Sequence, residues 1–236
     1  MKRARPFFLL ALGGMLAATS SPGVAQRLGT RIGRDAEQKD GPVIIRQIAD
    51  CVVARQPAFV RSWLGMLPGT AAERELITDM TEDMSTCLDS PALVMDGKQI
   101  GFKPRTLRRP VALALVRKEV KTADQQAPAK DLSPWFAAAV AALPAGEKLD
   151  TTSIALQDFG HCIATSAWAD TVALLASEPD SPAERGAIAR LKPALGPCLT
   201  ADVKLSLTIP TIREVVAEPV HHILSDAPAL AVATQR

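Results

Sequence analysis

The amino-acid sequence predicts a mostly α fold built from two tandem disulfide-tied helical repeats, pseudo-symmetric and with short extended segments. The first indication is that the four cysteines form two pairs, each 36 residues apart: Cys51 and Cys87, then Cys162 and Cys198. The second is that residues 51–90, shifted by 111 positions, align without a gap and with ten identities among forty positions. The third is that apolar residues recur at helical spacing in both copies.

Each repeat is expected to begin with a helix that carries its first cysteine, followed by a second helix. That second helix ends at Pro68-Gly69 in the first copy and at Pro179-Asp180 in the second, because proline and a following turn residue interrupt helices. Capping boxes at 70–73 and 181–184 then start a third helix in each copy. The apolar face of this third helix includes the second cysteine of each repeat.

A short extended segment and a last helix are expected to complete each repeat. The extended segments are residues 100–102 and 205–207. Beyond them the alignment continues at an offset of 105, which places Thr106-Leu107-Arg108 on Thr211-Ile212-Arg213. The predicted organisation along the chain is a signal peptide (1–25), repeat 1 (41–118), a linker with a short helix (119–148), repeat 2 (149–224) and a flexible tail (225–236).

Residues 1–25 have the pattern of a secretory signal peptide. Three basic residues precede an apolar run at 7–18, and Gly23 and Ala25 are the small residues that signal peptidase requires before its cut. The apolar run is too short to span a bilayer, which argues against the alternative of an uncleaved anchor. We expect cleavage after Ala25 and a mature protein, without a transmembrane segment, in the periplasm or outside the cell.

The charge balance of the expected mature chain argues against nucleic-acid binding. Removing three basic residues with the signal lowers the net charge from +2 to about −1. Seven Phe and Trp residues remain after residue 25, and the chain contains no Tyr. Both the cationic surplus that neutralises phosphates and the aromatic platforms that stack bases are therefore missing.

The cysteines are expected to form disulfides within each repeat, Cys51–Cys87 and Cys162–Cys198. If each copy folds by the same contacts of its own, each disulfide ties the first helix of a copy to its third helix. The alternative is a metal site that joins the second pair to histidines of the second copy: His161, His221 and His222. Because the first copy has no histidine at the matching places and no Cys-x-x-Cys spacing occurs, we expect no metal and no cofactor.

The longest one-sided charge run is basic, with seven Lys and Arg and no acidic residue between positions 98 and 118. Arg105, Arg108 and Arg109 are spaced at i, i+3 and i+4, which predicts one exposed helix face. On a near-neutral protein, such a face is suited to an anionic lipid surface or an envelope protein as partner. The alternative is a solvated face without a partner.

Two classes of function remain open. The first is a non-catalytic binding or scaffolding protein of the cell envelope, with its site expected in the groove between the copies. The second is a periplasmic hydrolase of unknown substrate that uses His161 or His221/His222. Asp158, His161 and Thr165 share one predicted helix face, but no nucleophile elbow accompanies them, which favours the binding protein. His221 and His222 are by default expected to be solvated near a helix end.

Overall fold

The computed structural model describes residues 41–79, 86–87, 104–121, 127, 132–199 and 207–233. Within these ranges the protein contains nine α-helices, one 3-10 turn and no strand, so its fold is all-α. The expected signal peptide lies outside the described residues, as do the expected extended segments apart from Leu207.

The helices fall into two halves separated by a connecting segment. The first half (41–121) contains α1 (Gly41–Arg55), α2 (Pro57–Leu64), α3 (Ala71–Asp79), the 3-10 turn Pro104–Leu107 and α4 (Arg108–Glu119). The connecting segment (132–148) contains α5 (Ala137–Ala141). The second half (149–233) contains α6 (Thr151–Ser166), α7 (Trp168–Ala176), α8 (Pro182–Cys198) and α9 (Ile209–Ala233).

The hydroxyl caps expected at the start of α3 and α8 are present. Thr70 Oγ1 accepts a hydrogen bond from the Glu73 amide (3.3 Å), and Ser181 Oγ accepts one from the Glu184 amide (3.1 Å). Each cap satisfies one of the amide groups that the first turn of a helix leaves unpaired. Pro182 is the first residue of α8, a position where its missing N–H removes no helical hydrogen bond.

Both disulfides join residues within one half, and the predicted pairing is confirmed. The Cα atoms are 5.8 Å apart in Cys51–Cys87 and 5.6 Å apart in Cys162–Cys198. Closing a loop of this length stabilises the fold by about 4 kcal/mol in the chain-entropy treatment. Because Cys162 and Cys198 are oxidised, the alternative of a metal site on their thiolates is wrong. Two disulfides indicate an oxidising compartment outside the cytoplasm.

Helix α9 is the element that joins the two halves. It packs along α4 from the first half and along α6 from the second, and buried apolar residues of both halves form one cluster. Contacts from residue 42 onward accordingly belong to one unit. Where α6 crosses α9, a Cβ atom at Gly160 would lie 2.2 Å from the carbonyl oxygen of Val215, so this approach requires glycine.

The last helix is also the longest of the described part, with 25 residues. It runs to Ala233, through most of the segment expected to form a flexible tail. Among the helices of the described ranges, α9 included, none is long and apolar enough to cross a membrane.

Candidate functional site

Glu73 of α3 is a buried carboxylate that organises the loop between α2 and α3. Its Oε2 accepts a hydrogen bond from the amide of Gly69 (2.6 Å), a residue held at φ +88°. Its Oε1 accepts hydrogen bonds from Trp63 Nε1 (3.1 Å) and from Arg108 Nη1 (2.7 Å). The carboxylate therefore fixes the loop with one oxygen and holds α4 with the other.

Glu184 of α8 makes the corresponding contacts in the second half. Its Oε2 accepts a hydrogen bond from the amide of Asp180 (2.7 Å), which has φ +61°, and its Oε1 accepts one from Arg213 Nη1 (2.5 Å). Arg213 also donates to the carbonyl oxygen of Ser177 (2.6 Å). Relative to Glu73 and Arg108, these partners lie at 184 − 73 = 111 and 213 − 108 = 105, the two offsets of the sequence alignment.

Arg108 differs from Arg213 because it binds a second carboxylate, from the other half of the molecule. Its Nη2 donates to Glu218 Oε1 of α9 (2.6 Å), and its Nε contacts both oxygens of that carboxylate at 3.1 Å. Burial alone lowers the pKa of the Arg108 guanidinium, but the two carboxylates raise that pKa above its ordinary value. The remaining donors reach main-chain carbonyl oxygens of the first half: Trp63, Leu64 and Met66.

The prediction that Arg105, Arg108 and Arg109 share an exposed helix face is therefore wrong for Arg108. Arg108 is only 5% exposed, whereas Arg105 and Arg109 are exposed. Arg108 and Arg109 begin α4, whereas Arg105 belongs to the preceding 3-10 turn. A local pattern also does not reveal that Glu73 and Glu218 hold Arg108 in the interior. The sequence alignment was the signal for part of this network, because it pairs Glu73 with Glu184 and Arg108 with Arg213.

Directly above this buried network lies a cavity of about 280 Å³, which we call the cleft. Its walls come from both halves, and Arg108 and Glu218 contribute to its lining. The first half supplies Arg105 and Arg109, and the second half supplies residues from the first turns of α6 and from α9. The polar second-half residues include Asp150, Thr152, Ser153, Gln157 and Glu214.

Glu214 is the one described carboxylate with a clearly raised pKa, and it lines the cleft. Burial raises the pKa of this half-buried carboxyl, and the nearby Arg109 guanidinium lowers it by less. Asp150, on the same side, is engaged as the N-cap of α6, since it accepts hydrogen bonds from the amide (3.1 Å) and hydroxyl (2.9 Å) of Ser153. The cleft thus has a cationic wall from the first half and an acidic wall from the second.

A second cavity, of about 660 Å³, shares Arg105 and Asp150 with the cleft. At its lining residue Asp150, a main-chain hydrogen bond joins the two halves, because the Asp150 amide donates to the carbonyl oxygen of Pro68 (2.8 Å). A Cβ atom on Gly69 would lie 2.4 Å from that Asp150 amide nitrogen. Glycine is therefore required at 69, whereas its counterpart in the second half is an aspartate.

The trio Asp158, His161 and Thr165 is not joined by hydrogen bonds between its side chains in the described contacts. His161 Nε2 lies 2.7 Å from the carbonyl oxygen of Leu132, which can only accept, so this nitrogen donates. Thr165 Oγ1 donates to the main-chain oxygen of His161 (3.0 Å), and Asp158 is exposed. The hydrogen bond between His161 and Leu132 attaches the connecting segment to α6, and that of Thr165 stays within the helix.

His221 and His222 lie inside α9, so the expectation of a solvated helix end is wrong. His221 is 3% exposed, with Nδ1 2.8 Å from Glu119 Oε2. The His222 ring stacks on Trp135 at a centroid distance of 4.0 Å, and its Nε2 donates to the Leu64 carbonyl oxygen (3.1 Å). Burial lowers the pKa of His222 to about 3, with the neighbouring His221 acting in the same direction.

None of these histidines lines the cleft or the second cavity. Within the described ranges, no group of three or more His, Cys, Asp or Glu residues is arranged to hold a metal ion. The fold and the site together define a disulfide-bonded, all-α protein with a cleft between its halves that both charged and apolar residues line. Comparisons with known protein families, curated proteins and solved structures found no match.

Proposed function

We propose that the protein is an exported, non-catalytic binding protein of the cell envelope, with its ligand site in the cleft. The observation that carries this proposal is a contrast within the cleft: the charged residues at its base, which we call the floor, pair with one another, whereas the arginines of its walls are exposed. The floor is a closed ion-pair network in which Arg108 meets Glu73 and Glu218. The walls keep Arg105 and Arg109 exposed to a ligand. A concave site with a few convergent polar groups is typical of ligand binding.

The two halves are, in this proposal, tandem copies of one unit related by pseudo-symmetry. Support comes from contacts that recur at the alignment offsets, namely the two within-half disulfides and the pairs Glu73–Arg108 and Glu184–Arg213. Residues without a counterpart are then the ones that distinguish the halves. Glu218 aligns with Leu113, so the first half has no carboxylate at the matching position. The ion pair between Arg108 and Glu218 therefore has no equivalent at Arg213.

Export through the predicted signal peptide fits the oxidised state of the cysteines. The mature protein is expected to begin at Gln26 in the periplasm or outside the cell. N-terminal sequencing of the protein from the envelope or medium tests this directly, and a cytosolic pool that retains Met1 would contradict it.

The cleft favours a ligand that enters it over a flat anionic lipid surface. With Arg108 buried, two exposed arginines remain, and Asp150 and Glu214 stand opposite them. Acidic groups facing the arginines repel a surface of phosphates. The hydrolase alternative requires a histidine at a cavity, and the contacts of the three histidines do not favour it.

The proposed function is tested by thermal unfolding in the presence of the low-molecular-weight fraction of a cell-envelope extract. The double variant Arg105→Gln/Arg109→Gln removes the cationic wall. The matched control Arg46→Gln/Arg61→Gln removes two exposed charges that line neither cavity. Parallel samples contain phosphatidylglycerol or phosphatidylcholine vesicles in place of the extract.

A ligand at a hundred times its Kd stabilises the folded state by about 2.7 kcal/mol, which raises Tm by about 5 °C or more for a chain of this size. We expect this shift for the parent and the control and its loss in the cleft variant. A parent that no fraction stabilises would contradict the proposal. So would equal stabilisation of the cleft variant, or stabilisation by the anionic vesicles alone.

A further inference from the structure

The walls of the cleft carry opposite charges on opposite halves of the molecule. The first half contributes the exposed arginines Arg105 and Arg109, and the second half contributes Asp150 and Glu214. In the floor, Arg108 pairs with both Glu73 and Glu218, which leaves one negative charge in excess there. A ligand in the cleft therefore meets cationic groups on one side and acidic groups on the other.

Two of these wall groups have capacity left for a ligand. Arg105 is exposed and lines both the cleft and the second cavity. Glu214 is half-buried and faces Arg109, but this one cation does not offset the effect of burial, since the pKa of the carboxyl stays raised. Asp150 is already engaged by the amide and hydroxyl of Ser153.

We propose that the cleft binds a small zwitterion, an amino acid or a short peptide, with its carboxylate at Arg105 and its ammonium group at Glu214. This inference rests on the proposed binding function and names its ligand class. A carboxylate accepts the forked donors of arginine, and an ammonium group adds a second cation beside Glu214, where Arg109 alone does not offset the effect of burial. A polyanion would be repelled by the acidic wall, and a polycation by the arginines.

The size and apolar lining of the cleft fit the same ligand class. Its volume of about 280 Å³ lies just below the usual range of about 300–1,000 Å³ for ligand pockets, which suits a few residues of peptide rather than a large cofactor. Pro68, Leu156 and Val215 add apolar surface to the lining, against which small aliphatic side chains can pack.

Three probes that differ only in their end charges test the inference by isothermal titration calorimetry. They are alanylalanine, its N-acetyl form, which lacks the ammonium group, and its C-terminal amide, which lacks the carboxylate. The proteins are the parent, Arg105→Gln, Glu214→Gln and the control Arg46→Gln, each checked for an unchanged far-UV circular dichroism spectrum.

The parent and the control should bind alanylalanine about tenfold or more tighter than either blocked form, because each charged hydrogen bond contributes at least that factor. Glu214→Gln should no longer distinguish alanylalanine from the acetylated form. Arg105→Gln should no longer distinguish alanylalanine from the amide.

Equal affinity of the parent for all three probes would overturn the inference, as would tighter binding of a blocked form or no binding of any probe. These results are distinguishable from failure of the proposed function. An envelope fraction that stabilises the parent but not Arg105→Gln/Arg109→Gln keeps the cleft as a binding site for a ligand of another class.

Discussion

Replacing Arg108 with methionine is expected to destabilise the protein strongly, because it removes the cation shared by two buried carboxylates. Glu73 and Glu218 are 1% and 2% exposed. Methionine keeps an unbranched stem of good helix propensity, so α4 itself is preserved. Removing one partner of a buried ion pair costs about 3–5 kcal/mol, against a total stability of about 5–15 kcal/mol for a typical domain.

Most of this loss is expected to come from Glu218. Glu73 keeps hydrogen bonds from the Gly69 amide and from Trp63 Nε1 when Arg108 is removed. Adding Glu218→Gln to Arg108→Met should therefore return about 2 kcal/mol, because a neutral amide replaces an unpaired buried charge. The matched control is Arg213→Met in the second half, which leaves a single carboxylate and should cost less than Arg108→Met.

Urea unfolding followed by tryptophan fluorescence, with the disulfides intact, measures these differences. The loss in free energy of unfolding caused by Arg108→Met should be smaller at pH 4 than at pH 7. An unpaired buried carboxyl has a raised pKa in the folded state, so its contribution is favourable at low pH and is lost as the pH rises through that pKa. A loss below about 1 kcal/mol, or no recovery on adding Glu218→Gln, would refute the reasoning.

Three further predictions concern single residues. Burial raises the pKa of Glu214, so ionisation of this carboxyl destabilises the folded state as the pH rises. The variant Glu214→Gln should therefore be more stable to urea than the parent at pH 7 and nearly equal to it at pH 4. A difference that does not change with pH would contradict this. The pKa of His222 is lowered to about 3 in the folded protein, so as the pH falls the unfolded chain binds a proton at this residue before the folded protein does. The free energy of unfolding should therefore decrease from about pH 6.5 down to pH 3, by up to about 1.4 kcal/mol per pH unit. The variant His222→Phe should flatten that slope, and an unchanged slope would show that another group causes it. The variant Gly69→Ala should lower Tm, because its Cβ would collide with the Asp150 amide. The variant Asp180→Gly, at the matching position, should have a Tm within a few degrees of the parent's. Equal effects at the two positions would contradict the close approach at Gly69.

The features that recur at the offsets of the sequence alignment could be predicted from the sequence. Equal cysteine spacing indicated both disulfides, and the recurrence of proline, turn residue and capping hydroxyl located the loop between α2 and α3 and its counterpart. The loop and cap signals are local, whereas the disulfide pairing was inferred by comparing the two aligned segments. The network around Arg108 is different, because its partners lie 35 and 110 residues away along the chain.

The histidines show the same limit. The residues around His222 do not indicate that its ring stacks on Trp135, which lies 87 positions earlier in the chain (222 − 135 = 87). The periodicity of α9 assigned both histidines to a helix, but the expected helix end was placed too early. Their burial follows from the longer helix and from the packing of the connecting segment against it, which no local pattern contains.

The presence of a ligand site in the cleft is tested most directly by mass spectrometry under non-denaturing conditions. The parent, Arg105→Gln/Arg109→Gln and Arg46→Gln/Arg61→Gln are each exposed to the low-molecular-weight envelope fraction and then desalted. We expect one additional small mass per chain on the parent and on the control, and the bare chain for the cleft variant. A bare parent, or a cleft variant that carries the same additional mass, would contradict a binding site between the two halves.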